Sequence, residues 1–140
     1  MKNLLLLTFL LNALPAYCQV KFEDFCFSSG GEKPVRFNLR IYDDINSKWS
    51  GAFVKYEKSK TPISLVPEYS QTDELDKNRP VQTTEKWIEI SGNRISGEYE
   101  MISQGTNVYS MTYINNSTHK KYFFNFDPNI APSAKGGCNW

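Results

Sequence analysis

Over most of the chain, apolar and polar residues alternate one by one, the period of a strand with one buried face. Val35, Phe37, Leu39 and Ile41 alternate with Arg36, Asn38, Arg40 and Tyr42, and Ala52, Val54 and Tyr56 alternate with Phe53, Lys55 and Glu57. Ile63 to Tyr69 reads as a third strand. Pro67 within it predicts an edge position or a bulge, because proline has no N–H to give a ladder. Trp87 to Ile90 and Ile95 to Ile102 flank Ser91-Gly92-Asn93-Arg94, a short segment of residues that tolerate positive φ, which predicts a tight hairpin. Val108 to Ile114 and Lys121 to Phe126 predict a second hairpin across Asn115 to His119, with Tyr122, Phe124 and Phe126 on one face of its last strand. With Phe22 to Phe27 ahead of these, seven to eight strands follow one another at close spacing, and no helical period competes with them. The fold class expected is all-β, a small antiparallel meander or barrel.

Three stretches depart from this alternation. At the start, Lys2 precedes an apolar run from Leu4 to Leu11, and Pro15-Ala16-Tyr17-Cys18 breaks it. Basic head, apolar body and small-residue exit form the pattern of a cleavable signal peptide over residues 1–18, with Ala16 and Cys18 at −3 and −1 of a cut before Gln19. The run is too short for a membrane helix, which needs ~20 apolar residues. A periplasmic or secreted protein is expected, with a lipoprotein anchored through Cys18 as the alternative. Ser70 to Thr84 reads as a long polar loop, and Pro128 to Gly137 as a surface tail. Residues 19–140, about 120 in all, suit a single all-β domain.

After cleavage Cys26 and Cys138 remain, and in an oxidising compartment an even pair reads as a disulfide. Such a bond ties the first strand to the C-terminal tail, the two ends that meet when a barrel closes. Removing Lys2 leaves fifteen basic against fifteen acidic side chains, and the only adjacent basic pair is Lys120-Lys121. That balance gives no long-range attraction to nucleic acid, so none is expected as a partner.

Candidate chemistry is sparse. His119 is the only histidine and sits in a Ser-Thr-His-Lys-Lys turn, where a solvated surface role is expected. No nucleophile elbow, phosphate-cradling loop or metal-ligand spacing appears, and two cysteines with one histidine are too few for a structural zinc. Asp43-Asp44, or Glu98 with Glu100, are carboxylate pairs able to do acid–base work without a sequence signature. The second pair lies opposite Tyr99 and Met101, as on an ordinary solvent face. Asn115 and Asn116 both begin Asn-x-Ser/Thr triplets, which carry sugar only in a eukaryotic secretory pathway. The expectation is a binding protein without catalytic residues, cofactor or metal.

The hairpin around Gly92 offers a protein-facing surface, because Ser91, Gly92, Asn93, Arg94, Ser96, Gly97 and Tyr99 mix charge, small polar groups and an aromatic ring. Tyr99 contributes only if it faces outward, and it shares a strand face with Ile95 and Met101. The placement of Cys26 in the first strand and Cys138 near the end, together with Ser96-Gly97-Glu98-Tyr99, resembles the bacterial periplasmic and membrane-bound inhibitors of c-type lysozyme. Their inhibitory element has a Ser-Gly pair followed at short distance by Tyr, and Ser96-Gly97-Glu98-Tyr99 is one residue shorter than it. Their second element, a Trp before a Lys-Gly pair, is absent from this sequence. The resemblance implies a small barrel that blocks an enzyme acting in the cell envelope. The broader expectation is a protein target, either a lysozyme-like hydrolase or a competitor's toxin met by an immunity protein. The alternative is a lipocalin-like carrier of a small apolar ligand, which requires a cavity that so many aromatic side chains tend to fill.

Overall fold

The computed structural model describes residues 20–130, 132, 133 and 136–140. The expected signal peptide therefore lies outside the described residues. Eight strands run in order: β1 (Val20–Ser28), β2 (Arg36–Asp44), β3 (Trp49–Tyr56), β4 (Ile63–Asp73), β5 (Gln82–Ser91), β6 (Arg94–Gln104), β7 (Asn107–Asn115) and β8 (Lys121–Phe126). Each pairs antiparallel with the next and β8 returns to β1, so the sheet closes into an up-and-down barrel.

Alternation decides what fills it. Phe27, Phe37, Leu39, Val54, Tyr99 and Met111 are fully buried on the inner face. Phe37 lies near the middle of this core, its ring centroid 4.8 Å from that of Phe124 and 5.3 Å from that of Phe27. Edge-on and offset ring contacts of this kind add to the area the rings bury. This packing plugs the end of the barrel where β1 finishes and β2 begins. Of the aromatic face expected on β8, only Phe124 is fully enclosed; Phe126 is partly buried and Tyr122 is exposed.

The wall is incomplete in two places. β3 and β4 share only three pairs, Ala52–Leu65, Phe53–Ser64 and Val54–Ile63. Past them the β4–β5 ladder shifts register between Pro67 and Tyr69, as the proline led one to expect, and β4 leaves β3. The polar loop expected from Ser70 to Thr84 is not there. β4 continues to Asp73 and β5 begins at Gln82, with Gln71–Thr84 and Thr72–Thr83 in register, so only 74–81 connects them. This ribbon end has no core beneath it. Its backbone ladder therefore forms without the apolar alternation that marks a half-buried strand.

The second gap is the seam. β1 and β8 pair only through Phe27–Phe126 and Ser28–Asn125. Below that point the C-terminal tail takes over the role of a strand. The Asp127 N–H donates to the Cys26 carbonyl at 2.9 Å, and Cys138 is disulfide-bonded to Cys26 with the two Cα atoms 5.9 Å apart. The Gly137 N–H donates to Asp24 Oδ2 at 3.3 Å. Arg40 grips the same carboxylate with two bonds of 2.9 and 2.7 Å, and Asn38 adds a third at 2.9 Å. Gly136, at φ 86°, leaves its bare Cα against the Arg40 guanidinium, where any Cβ would collide. Burial pushes the Asp24 carboxyl up, but the bonds from Arg40, Asn38 and Gly137 outweigh it and hold it below the usual carboxylate range.

Because this disulfide spans 112 residues of sequence, the chain-entropy model assigns it roughly 4 to 5 kcal/mol. Cys26→Ser is expected to lower unfolding stability by about that amount. Chemical denaturation of oxidised wild type beside the variant measures it, and a change below about 1 kcal/mol would show that the seam holds without the bond.

Candidate functional site

The plugged end leaves the opposite end of the barrel open. Going down β1 from Phe27 and Phe25, the next inward position is Glu23; below Leu39 and Ile41 on β2 it is Asp43; before Trp87 on β5 it is Glu85. On β1 and β2 an apolar inner face thus ends in a carboxylate, and on β5 Trp87 stands between Glu85 at the mouth and the buried Glu89 at the plug. Together with Phe25, Tyr69 and Trp87, the acids Glu23, Asp43 and Glu85 line a cavity of about 760 Å³. Ser50, Pro67 and Ser70 border it where β3 and β4 part. The mouth therefore exists because the wall is split, and the split follows from the irregularity at Pro67.

The mouth is lined mainly by acids, with the Lys86 ammonium at its rim, 5.9 Å from the centroid of the Tyr69 ring. No Lys or Arg lines the cavity. Glu85 is pushed up from its ordinary value, first by burial and then by the charges of Asp43 and Glu23. Asp43 accepts a hydrogen bond from Ser50 Oγ at 2.5 Å. Glu68, at the rim, is already spoken for: Lys86 bridges it at 3.1 Å and Glu98 at 2.7 Å on the outer face. At the floor, Trp87 is 4% exposed and its indole N–H has no hydrogen-bond partner. Buried donors are seldom left unpaired, and one that is costs about 1–3 kcal/mol.

The hairpin singled out in the sequence stands at the other end. Ser91 pairs with Arg94 across a two-residue turn, and Gly92 takes φ 62° there. Ser91, Gly92, Asn93 and Arg94 are exposed. Gly97 and Tyr99 are buried, which leaves them no outward contact, and Ser96 is half-buried. Ser96 Oγ donates to Glu89 Oε1 at 2.7 Å, and Tyr99 is fully buried, donating to Glu89 Oε2 at 3.2 Å and sharing a 3.0 Å hydrogen bond with Tyr56. Burial, then the neighbouring Tyr56, pushes the Tyr99 phenol far up. Gly97 is glycine because the Tyr113 ring occupies the space of a Cβ, and that ring lies 4.7 Å from Tyr99. These three residues build the plug: strand alternation turns Gly97 and Tyr99 inward, and Ser96 caps a buried acid.

Of the carboxylate pairs considered, Asp43 and Asp44 point apart. Asp44 is buried and caps the β2–β3 turn through the Asn46 N–H at 3.0 Å and Ser47 Oγ at 2.6 Å, whereas Asp43 faces the mouth. Glu98 is the partner of Lys86 on the outer face. His119 is exposed at φ 55° in the β7–β8 turn. Sequence reasoning missed Glu23, Glu85 and Trp87 as site residues. One signal was present: Glu23 lies two positions before Phe25, Asp43 two after Ile41 and Glu85 two before Trp87, each on the same face as that neighbour.

Compared with protein-family models, with curated proteins and with solved structures, the chain finds no match.

Glu85 generates a pH prediction. Its folded pKa lies above the ordinary 4.5, so the native state holds the proton more tightly than the unfolded chain does. Stability should then fall as pH rises from 4.5 to the raised value, and level off above it. Urea denaturation across that range should show this fall in wild type and a shallower one in Glu85→Gln. Identical slopes would mean the carboxyl is solvated.

Proposed function

We propose that this is a non-catalytic binding protein of the extracytoplasmic space that takes its ligand into the split mouth of the barrel. The observation that carries the reading is the cavity itself: a core packed tight at one end gives way at the other to a space of about 760 Å³ bordered by Glu23, Asp43 and Glu85. Ligand sites are concave, with apolar walls and a few convergent polar groups, and this mouth combines Phe25 and Tyr69 with three carboxylates. The disulfide agrees with an oxidising compartment. A carrier of apolar ligands fits less well, because burying an apolar molecule against Glu23, Asp43 and Glu85 strips water from charge without replacing it.

The neutralising inhibitor remains a second reading, favoured by a specific observation at the far end. Ile90 and Ile95 pair across the base of the exposed hairpin and are themselves exposed, at 46% and 48%, beside Arg94. An apolar pair next to an arginine on a rigid turn suits entry into an enzyme cleft at small entropic cost. Lysozyme-type hydrolases or toxins are its proposed targets.

Two measurements separate these readings. Native mass spectrometry of protein released gently from its own compartment should show a retained small molecule in wild type. Ser103→Phe, which fills the mouth from β6, should lose it while melting normally; equal, ligand-free masses overturn the mouth reading. For the inhibitor reading, Arg94→Ala with Ile90→Ser should weaken binding to a captured envelope enzyme by at least about tenfold. Unchanged affinity in the folded variant removes the hairpin from the interface.

A further inference from the structure

We infer that the plugged end of the barrel takes up an extended peptide segment of another protein, added as a strand to the open edge of β8. The inference goes beyond both readings above and does not depend on the mouth.

The backbone comes first. In an antiparallel ladder, hydrogen-bonded and non-bonded pairs alternate. The Asn115 N–H donates to the Lys120 carbonyl at 3.0 Å, which makes Tyr113–Tyr122 and Met111–Phe124 the bonded pairs further along. Lys121 and Phe123 therefore turn their N–H and C=O groups to the other side of β8. There β1 reaches only to Ser28, opposite Asn125. The Ser29 N–H turns back to the Val35 carbonyl at 3.0 Å, and Gly30 and Gly31, at φ 71° and 83°, carry the chain aside. No strand faces Lys121 to Phe124 on that side, and no other described residue bonds the main-chain groups of Lys121 and Phe123 there. The tail covers the edge of β1 beyond this point, through Asp127 and Cys138, and leaves this edge of β8 bare.

The side chains beside the edge are a second, independent observation. Strand alternation turns Tyr122 and Phe124 inward and Lys121 and Phe123 outward. The inward pair, with Val35, Tyr56 and Tyr113, surrounds a cup of about 540 Å³ that lies over the aromatic plug. Val35 and Tyr122 stand about half exposed there, and Phe123 is 70% exposed on the outer side. An added strand sends alternate side chains to the two faces of the sheet. It would drop the side chains on either side of its central residue into the cup and lay the central one against Phe123. Bare main-chain groups give such a strand its affinity, and the cup gives it selectivity.

Charge names the occupant. Lys121 forms no ion pair among the described residues, and Lys120 precedes it. Two copies of this chain joined edge to edge would bring those lysines near each other, and like charges across a sheet are unfavourable. A segment with an acid opposite Lys121 gains where a second copy loses. Run antiparallel to β8, it reads apolar, apolar, apolar, acidic, against Phe124, Phe123, Tyr122 and Lys121 in turn.

The probe is the acetylated and amidated peptide Ser-Leu-Val-Leu-Glu-Ser, titrated into the oxidised protein and followed by amide NMR shifts. Its valine lies opposite Phe123, at the bonded position. Binding should shift the amides of Lys121 and Phe123 and slow their hydrogen exchange. N-methylation of the valine keeps every side chain and removes one main-chain donor, and should weaken binding at least about tenfold. Phe123→Pro should do the same in a barrel that melts normally, because that N–H bonds nothing within it. Val35→Asp, which sets a charge in the cup at an exposed position, should weaken binding as well. Lys121→Glu should reverse the preference between this peptide and its counterpart with lysine in place of glutamate. Ser103→Phe should leave binding unchanged, which separates this site from the mouth. No shifts at millimolar peptide, equal binding of the N-methylated form, unchanged affinity in folded Phe123→Pro, or shifts confined to the mouth or the Ser91 to Arg94 hairpin overturns the inference. Sedimentation of the protein alone should give a monomer; a dimer that Phe123→Pro dissolves assigns the edge to a second copy and overturns it too.

Discussion

The first and last strands of the barrel share two residue pairs, and the closure of the whole sheet depends on what replaces the missing ones. Open strand edges are exposed hydrogen-bonding groups that invite pairing with other chains. Here the tail covers the edge of β1 through the Asp127 amide, the Cys26–Cys138 bond and the Gly137 amide on Asp24. Asp24 is where these constraints meet, since Arg40 and Asn38 of β2 hold the same carboxylate that receives the tail. Arg40 in turn lies over the Phe22 ring, 4.6 Å from its centroid, so the outer faces of β1 and β2 are locked together under the tail. With that seam fixed, the inner aromatic cluster has a closed wall to pack against.

The second gap, between β3 and β4, is treated in the opposite way. Nothing among the described residues covers it with a ladder, and the sheet opens there into a space bordered by carboxylates. The two ends of one barrel thus differ by a simple device. Toward the plug, inward positions carry Phe, Leu, Val and Met, and the one acid among them, Glu89, is hydrogen-bonded by Ser96 and Tyr99; toward the mouth, the alternating positions carry Glu23, Asp43 and Glu85. A filled end stabilises the fold by burial, while an open acidic end contributes little to stability and is free to bind. The raised Glu85 carboxyl is the physical trace of that division, a group kept where solvation is poor and neighbours repel it.

Much of the architecture was legible along the chain because a half-buried strand writes its own period. The alternation over Val35 to Ile41, the hairpin at Gly92 and the aromatic spacing of β8 each report a local rule, and the strands formed near their expected bounds except where β4 and β5 extend into Ser70 to Thr84. The ribbon from Ser70 to Thr84 escaped detection because it pairs without burying a face. The burial of Gly97 and Tyr99 has a different origin: the motif that drew attention there uses small and aromatic residues, and the plug needs the same types to seat Tyr113 over Gly97.

Strand periodicity, turn residues and the odd–even spacing of core side chains are properties of neighbours in sequence, and they determined the all-β meander. The expectation of a signal peptide over residues 1–18 likewise rests on short-range order and composition. Only the closed sheet decided that Glu23, Asp43 and Glu85, from strands far apart in sequence, converge on one cavity, and that Trp87 sits below them with a free N–H. Convergence of that kind depends on register summed around the barrel and on where the wall splits. Pro67 marks the strand that leaves the wall, but no local pattern in the chain encodes which residues of other strands then face one another there.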